Sequence, residues 1–447
     1  MVATVALGTI LAPLNSTMIA VALPRIKDDF DVDVATVGWL VTAYLIALAA
    51  LQPVCGKLGD RLGRRPLMLG GLAAFGIASL GAALAPTFPA LVLFRVLQAV
   101  AGAVTLPNGV ALLREAVAVE RRGARFGVVG SAIGVAASVG PALGGLFVGA
   151  GGWRAVFYVN IPLVLLALAL AWRSVPRGTA SRPDGPFDVV GAVLLCGVLA
   201  GAAGVLIEGR GSTGAPLLAT SGIALAVAFA YLLRHELRHD DPVIHPRLFA
   251  IRPFAAATSG VALSNLSFYT TLLATPILLA DDLGWDPIET GLALTVLSGP
   301  TILFAPLGGR LGDRLGHRLP AMAGHALATA GLVPLALGAE RSGGLLLGCL
   351  AAAGVGFALA MAPLQTSAVE AVRREDAGVA SGLFSTSRYL GSIVGSVALA
   401  ALLVSTDTGV TGFRSVAALV IVAALLAMLA SAGLRGRRLV PAAEALA

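Results

Sequence analysis

The 447-residue chain is 57% hydrophobic and only 12% charged, with a formal net charge of +7 and a mean hydropathy of +0.90. A soluble globular protein carries roughly 25% charged residues, so a water-soluble fold is excluded and lipid must solvate much of the surface. In a soluble protein the basic balance would suggest nucleic acid, but here the charges sit in short gaps between apolar segments and no nucleic-acid partner is expected.

A membrane-crossing helix needs about 20 mostly apolar residues. Fourteen segments meet that length, at approximately 3–23, 36–56, 67–85, 89–112, 125–149, 155–172, 188–207, 215–233, 254–279, 289–308, 319–338, 343–367, 378–403 and 412–433. The first contains Ala20-Val21-Ala22, which resembles a signal-peptidase site. It has no basic n-region, its apolar run is too long for an h-region, and Asn15, Ser16 and Thr17 interrupt it, so it reads as a transmembrane helix. The linkers are short, the longest charged connectors being 173–187 and 234–253, and none has room for a soluble domain. Cys55, Cys196 and Cys349 lie far apart and form neither a disulfide framework nor a metal-ligand cluster.

The gaps alternate in charge. If both termini are cytoplasmic, the cytoplasmic gaps and tail hold 23 of the 31 Lys and Arg, from Lys57 and Arg61 to Arg437 and Arg438. The opposite side holds six (Arg25, Lys27, Arg154, Arg210, Arg341 and Arg414), and Arg95 and Arg388 fall inside helices. Loop Lys and Arg set orientation, so both termini are expected in the cytoplasm and the helix count is expected to be even.

One stretch occurs twice. Gly56-Lys57-Leu58-Gly59-Asp60-Arg61-Leu62-Gly63-Arg64-Arg65-Pro66 returns as Gly309-Arg310-Leu311-Gly312-Asp313-Arg314-Leu315-Gly316-His317-Arg318-Leu319, an offset of 253 residues. Each copy follows the second helix of a half, and the offset exceeds six helix-plus-loop units by about two. The expected architecture is all-α with fourteen transmembrane helices, 6+2+6: a bundle over 1–173, two inserted helices with their connectors over 174–253, and a second bundle over 254–447. Internal repeats of this kind point to transporters made of two related halves.

These residues resemble the major facilitator superfamily, and within it the fourteen-helix drug:proton antiporter branch, over essentially the whole chain. The resemblance implies a gating role for the repeated loop: its Asp60 latches the outward-open state against the helix starting near Gly378 and against Arg114. Gly56 and Gly63 make the turn, Arg61 and Arg64 hold it in the cytoplasm, and Gly309, Asp313 and Arg314 repeat the device. Arg95, in Leu93-Phe94-Arg95-Val96-Leu97-Gln98-Ala99, resembles the helix-4 arginine linked to proton coupling, with Ala99 where the family usually has Gly. Gly140-Pro141-Ala142-Leu143-Gly144-Gly145 resembles the fifth-helix motif that separates exporters from importers. Gly152-Trp153-Arg154-Ala155-Val156-Phe157-Tyr158-Val159-Asn160-Ile161-Pro162 resembles the branch's link into helix 6, with Trp153 expected to anchor at the outer interface.

The chain departs from the pattern at Asn15, where many members of the branch carry Asp. Asn cannot titrate, and Glu115, Glu208, Glu370 and Asp407 all sit at or near helix ends. Proton coupling and cationic-drug binding both favour a buried acid, so both expectations weaken. His325 is one substitute, a satisfied interior histidine the other reading. Arg388 adds a second intramembrane cation, and with Arg95 suits an anionic or polar neutral substrate at least as well as a cation. Tyr44, Gln52, Asn108, Asn265, Tyr269 and Gln365 are further cavity candidates, although single polar residues in membrane helices commonly bond neighbouring helices. His235 and His239, four apart, have metal-binding spacing on a helix. They sit in a charged connector without a carboxylate–thiol set, and no metal is expected.

No phosphate-loop motif and no nucleophile–base pair is present, so neither ATP hydrolysis, another enzymatic activity nor a cofactor is expected. The expected protein is a monomeric, multi-pass exporter in a bacterial inner membrane. It would move a small molecule by alternating access, with protons as the counter-ion. The alternatives are a facilitative or importing metabolite carrier and a non-transporting membrane sensor.

Overall fold

A computed structural model describes residues 1–116, 122–175, 188–208, 215–239, 245–337, 342–373, 377–405 and 410–436. The described residues are almost entirely helical, because a backbone in lipid must bond its polar groups within its own segment. The helices are α1 (Val2–Asp29), α2 (Val34–Leu62), α3 (Arg64–Ala83), α4 (Phe88–Ala116), α5 (Arg122–Gly151), α6 (Ala155–Tyr158), α7 (Asn160–Ser174), α8 (Val189–Glu208) and α9 (Ala215–Arg238). They continue as α10 (Arg252–Ile277), α11 (Pro287–Ser298), α12 (Pro300–Leu315), α13 (Arg318–Ala336), α14 (Gly343–Glu370), α15 (Ala377–Ser405) and α16 (Val410–Ser431).

Twelve spans among the described residues are long and apolar enough to cross a membrane. One runs through α6 and α7, one through α11 and α12, and one extends α10 to Asp281 through a π-helical turn. Each coincides with one of the segments read from hydropathy. α8 and α9 also form helices where the two inserted segments were expected, but they are not among the twelve; Val193–Ala202 is a shorter apolar stretch within α8. Ile77, Leu303 and Leu337, each more than 70% exposed, face outward. Apolar surface of that kind requires a lipid neighbour.

The repeated loop is a chain reversal with almost no loop. α2 ends at Gly63 with φ +93° and α12 ends at Gly316 with φ +81°, and α3 and α13 start at the next residue or the one after. Only glycine enters that backbone region without strain. The two copies therefore share one local cause, a positive-φ residue that turns one membrane helix directly into the next.

The packing repeats as well. α1 against α5, α3 against α4, α2 against α4, α3 against α7 and α1 against α7 recur as α10 against α15, α13 against α14, α12 against α14, α13 against α16 and α10 against α16. The two halves meet along α5–α11 and α2–α15, which are the same pair under that correspondence. α8 lies against both α2 and α15, over one of these seams, and pairs with α9.

At the start of α8, Asp188 accepts the Gly191 N–H at 2.7 Å and lies 2.7 Å from Nε2 of His235 on α9. Burial raises its pKa, but those partners outweigh burial and hold the carboxyl below the usual carboxylate value.

Candidate functional site

The helices leave one large charged group at the centre of the first half. Arg95, on α4, is fully buried. Its Nη1 donates to Oδ1 of Asn15 on α1 and, at 3.0 Å, to Oε1 of Gln98 one turn along α4. Its Nε donates to the Leu40 carbonyl on α2 at 3.4 Å, and its guanidinium lies 4.2 Å from the centroid of the Tyr44 ring. Gln98 Nε2 donates in turn to Oγ of Ser79 on α3 at 2.7 Å, and Ser79 Oγ donates to the Phe75 carbonyl at 2.7 Å. One cation thus ties four helices together without a carboxylate.

The magnitudes allow this. An arginine at the membrane centre costs about 2.5–3.5 kcal/mol on insertion scales. Hydrogen bonds to a charged group contribute roughly 1.5–3 kcal/mol each, and a desolvated cation–π contact about 2 kcal/mol. Asn15 therefore takes the place of a counter-ion as a neutral acceptor. Two donors remain: Arg95 Nη2 and Asn15 Nδ2 are buried with no hydrogen-bond partner among the described residues. A pair of buried donors on a positive group suits a ligand rich in acceptors or carrying negative charge.

Other predicted cavity residues divide by what they touch. Tyr269, on α10, hydrogen-bonds Ser16 on α1, bridging the halves at the residue next to Asn15. Tyr44 donates to the Ala12 carbonyl at 3.3 Å. Gln52 Nε2 lies 3.5 Å from the Tyr389 hydroxyl on α15. Arg388 is only half-buried and lies 5.1 Å from its neighbour Tyr389's ring, so it is not the second fully buried cation that hydropathy suggested. Gln365 is exposed, and Asn265 Nδ2 donates to the Val261 carbonyl of its own helix at 3.2 Å. Asn108 Nδ2 donates to the Cys55 carbonyl at 3.1 Å and the Val104 carbonyl at 2.7 Å; its Oδ1, from which a Cβ on Gly59 would lie 1.7 Å away, is buried with no hydrogen-bond partner among the described residues. His325 is buried; its Nδ1 lies 3.2 Å from Ser431 Oγ, while its Nε2 has no hydrogen-bond partner among the described residues.

The face carrying Met1 and Gly436 is the near face, and the opposite end the far face. Hydrogen bonds join the halves from about the middle of the bundle to the far face: Ser16–Tyr269, Gln52–Tyr389, Thr42–Ser396, Ser138–Ser298 and Lys27–Asp281. The Gly140–Gly145 motif makes that closure possible. A Cβ on Gly140 would lie 1.9 Å from Thr17 Oγ1 and one on Gly144 2.8 Å from the Met18 carbonyl, so these glycines seat α5 on α1. Gly145 faces the other half, where a Cβ would lie 2.3 Å from the Pro287 carbonyl, and a Cβ on Gly291 would lie 2.5 Å from the Pro141 carbonyl.

Trp153 also departs from expectation. It is 4% exposed rather than set in lipid, its Nε1 donates to Asp29 at 2.9 Å, and its ring packs 5.5 Å from Phe30. Arg154 stacks 4.2 Å above it and pairs with Asp29 at 3.0 Å.

At the near face, the side chains of Gly56, Asp60 and Arg114 lie outside the described residues. Arg61 and Arg64 are half-buried, and Arg65 Nη2 donates to the Trp172 carbonyl at 3.0 Å. In the second copy, Asp313 and Arg314 are exposed, and a Cβ on Gly309 would lie 3.5 Å from Ala362 Cβ, an ordinary contact distance. That loop is held instead by His317, whose Nε2 lies 2.9 Å from Oε2 of Glu370. Sequence reasoning did not single out His317, Ser79 or the Lys27–Asp281 pair, because each becomes distinctive only through a partner on a distant helix.

The Major Facilitator Superfamily model matches residues 5–232 and 257–445. The chain belongs to the major facilitator superfamily. It is accordingly a multi-pass membrane transporter and not an enzyme. An MFS-type transporter of Bacillus subtilis strain 168, YvkA, is 36% identical, covering 87% of each chain. The tetracenomycin C resistance and export protein of Streptomyces glaucescens is 33% identical over 90% of this chain and 75% of its own. Multidrug resistance protein Stp of Mycobacterium tuberculosis strain CDC 1551 / Oshkosh is 32% identical over 89% and 74%.

Among solved structures, a POT family transporter with a thioalcohol-conjugated peptide superposes with a TM-score of 0.70 at 15% identity, covering 96% of this chain and 95% of its own. A bacterial homologue of the lysosomal transporter Spinster, inward-facing and unoccupied, gives 0.69 at 17%, covering 97% and 96%. At such identities the shared property of this superfamily member is the fold.

Proposed function

We infer that the chain is a secondary transporter that exports small molecules by alternating access, and that the Arg95–Asn15 centre is where the substrate is recognised. The supporting observation is the pair of buried donors, Arg95 Nη2 and Asn15 Nδ2, at a cation whose hydrogen-bond acceptors among the described residues are amides and a carbonyl. That chemistry favours anionic or acceptor-rich neutral compounds over cations. The tetracenomycin C and multidrug resistance relatives support efflux of antibiotic-type molecules as the direction and class, and the seating of the Gly140–Gly145 motif on the seam between halves supports an exporter over an importer.

The proposed architecture is fourteen spans: a six-helix bundle over 1–173, two inserted helices within 174–253 and a second bundle over 254–447. α8 and α9 form helices of 20 and 24 residues at the inserted positions, in keeping with that count. The chain is proposed to act as a monomer in a bacterial inner membrane with both termini cytoplasmic, as its Lys and Arg distribution favours. The near face is then cytoplasmic, and the far-face contacts correspond to an inward-facing state. Asp60, Arg61, Arg64 and Arg114 would latch the opposite state, with Gly56 and Gly63 shaping the turn. Asp60→Asn should then raise near-face cysteine labelling and lower far-face labelling; labelling unchanged from the parent on both faces would remove Asp60 from the latch. Proton coupling remains the proposed energy source, carried by a group other than residue 15.

The test is expression in a bacterium stripped of its own efflux pumps. Accumulation of a panel of anionic, neutral and cationic compounds is measured with and without a protonophore. Lower accumulation of anionic or neutral compounds, abolished by the protonophore, is the expected result. Lowered accumulation of cations alone would overturn the recognition argument. Export that the protonophore leaves intact would overturn proton coupling.

A further inference from the structure

A second polar cluster lies away from the Arg95 centre, at the near-face end of the hairpin made by α8 and α9. Asp188 is 2% exposed, and its Oδ1 is fixed by the Gly191 N–H. Across the hairpin, His235 Nε2 reaches the same oxygen at 2.7 Å, and the His239 ring, one turn further on, sits 5.4 Å from the His235 ring. The ligand atoms of Asp188, His235 and His239 all lie within 4.8 Å of one another. Asp188 Oδ2 is buried with no hydrogen-bond partner among the described residues. Glu236, 3% exposed, brings a second carboxylate to the same place: a Cβ on Gly191 would lie 2.3 Å from Asp188 Oδ2 and 2.6 Å from Glu236 Oε1.

We propose that Asp188, His235 and His239 bind one divalent transition-metal ion of the zinc class. The stretch His235-Glu236-Leu237-Arg238-His239 sets two imidazoles on one helix face at the spacing that zinc-binding helices use. The connector was expected to bind no metal because it holds no carboxylate–thiol set; the third ligand comes instead from α8, which delivers Asp188 from 47 residues away.

Two imidazoles and one carboxylate suit zinc, nickel or cobalt, whereas magnesium and calcium call for oxygen ligands throughout. With metal–ligand bonds of about 2.0–2.2 Å, two ligand atoms on a tetrahedral ion sit roughly 3.4 Å apart, so the Asp188–His235 contact at 2.7 Å opens slightly to admit the ion while the more distant donor draws in. A cation at this place offsets the buried carboxylate charge of Asp188. The ion joins α8 to α9, and α8 rests on α2 and α15, so it fastens the inserted hairpin over the seam between the halves.

The test uses the full-length chain, without a polyhistidine tag, in lipid nanodiscs. The protein is stripped with EDTA, desalted and titrated with zinc chloride, with bound metal counted by mass spectrometry. Cobalt(II) is used in parallel for its visible absorption. The expected result is one zinc per chain and, in the stripped protein, one cobalt with a d–d spectrum of a nitrogen- and oxygen-ligated ion that added zinc bleaches. Asp188→Asn and His239→Gln should each weaken binding by at least about tenfold to a hundredfold, the loss caused even by removing groups that only orient a ligand. His239→Gln leaves the Asp188–His235 contact intact, and its melting temperature without metal establishes that it is folded. Failure of the wild type to hold stoichiometric zinc overturns the proposal, as does unchanged binding in either variant. The outcome does not depend on what the chain exports.

Discussion

The two halves pack their helices in the same order and differ in what they put at the centre. In the first, Arg95, Asn15, Gln98 and Ser79 form one hydrogen-bonded chain through α1, α3 and α4, with a further bond to α2. In the second, the buried polar groups are largely threonine and serine hydroxyls, several satisfied by a carbonyl one turn back: Thr271 to Ser267, Thr275 to Thr271 and Thr329 to His325. A hydroxyl bonded within its own helix neither needs nor specifies a partner, whereas a buried guanidinium does. The architecture is therefore duplicated while the buried polar centre is not. The second half supplies Tyr269, Tyr389, Ser396, Ser298 and Asp281 to the shared interface.

Arg95→Ala should break this asymmetry most severely. It removes the cation and leaves acceptors on Asn15 and Gln98 buried and unsatisfied, at about 1–3 kcal/mol each. Efflux should fall to the level of the empty vector at equal membrane abundance, with Arg95→Lys intermediate because an ammonium lacks the planar fork. Full export by the alanine variant would move recognition out of the first half.

Gly145→Val comes next. It forces a side chain against the backbone of α11, and overpacking of that kind costs about 1–3 kcal/mol. The expected result is greater labelling of a cysteine placed at Asp281 by an impermeant maleimide. Gly70→Val, at a position with nothing within 4 Å, is the control and should change nothing. Equal labelling in the two variants would show that the glycine contact does not close the far face.

Asn15→Asp sharpens the comparison further by giving Arg95 a carboxylate. Export of anionic or neutral compounds should drop several-fold and cationic compounds should gain, with a pH dependence that the parent lacks at this position. An unchanged substrate spectrum would mean that residue 15 serves only to seat Arg95.

The smallest effect is expected from Lys27→Ala, which removes the pair with Asp281 between the halves. Exposed pairs contribute about 0.2–1 kcal/mol, so far-face opening should rise by no more than about fivefold, and exchanging the two charges should restore it. A larger change would make the pair a principal gate.

How much of this was legible depended on whether the cause was local. Helix positions followed from runs of apolar residues, because a lipid-embedded backbone has few other choices, and twelve of the fourteen expected segments match spans of the structure. The repeated loop was legible for the same reason, since Gly63 and Gly316 act through their own φ. Arg95 was conspicuous as a lone cation in an apolar helix, and Asn15 as a polar interruption. That Asn15 would be the acceptor for Arg95, that Gly145 would face Pro287 while Gly144 faces Met18, and that Asp188 would complete a set with His235 and His239 had no signal in the spacing of residues. By itself the sequence determined where the chain crosses the membrane and where it turns, because those depend on neighbours in the chain. Only the tertiary structure decided which polar groups meet, because in an apolar surround each buried donor takes whichever acceptor the packing of distant helices brings within reach.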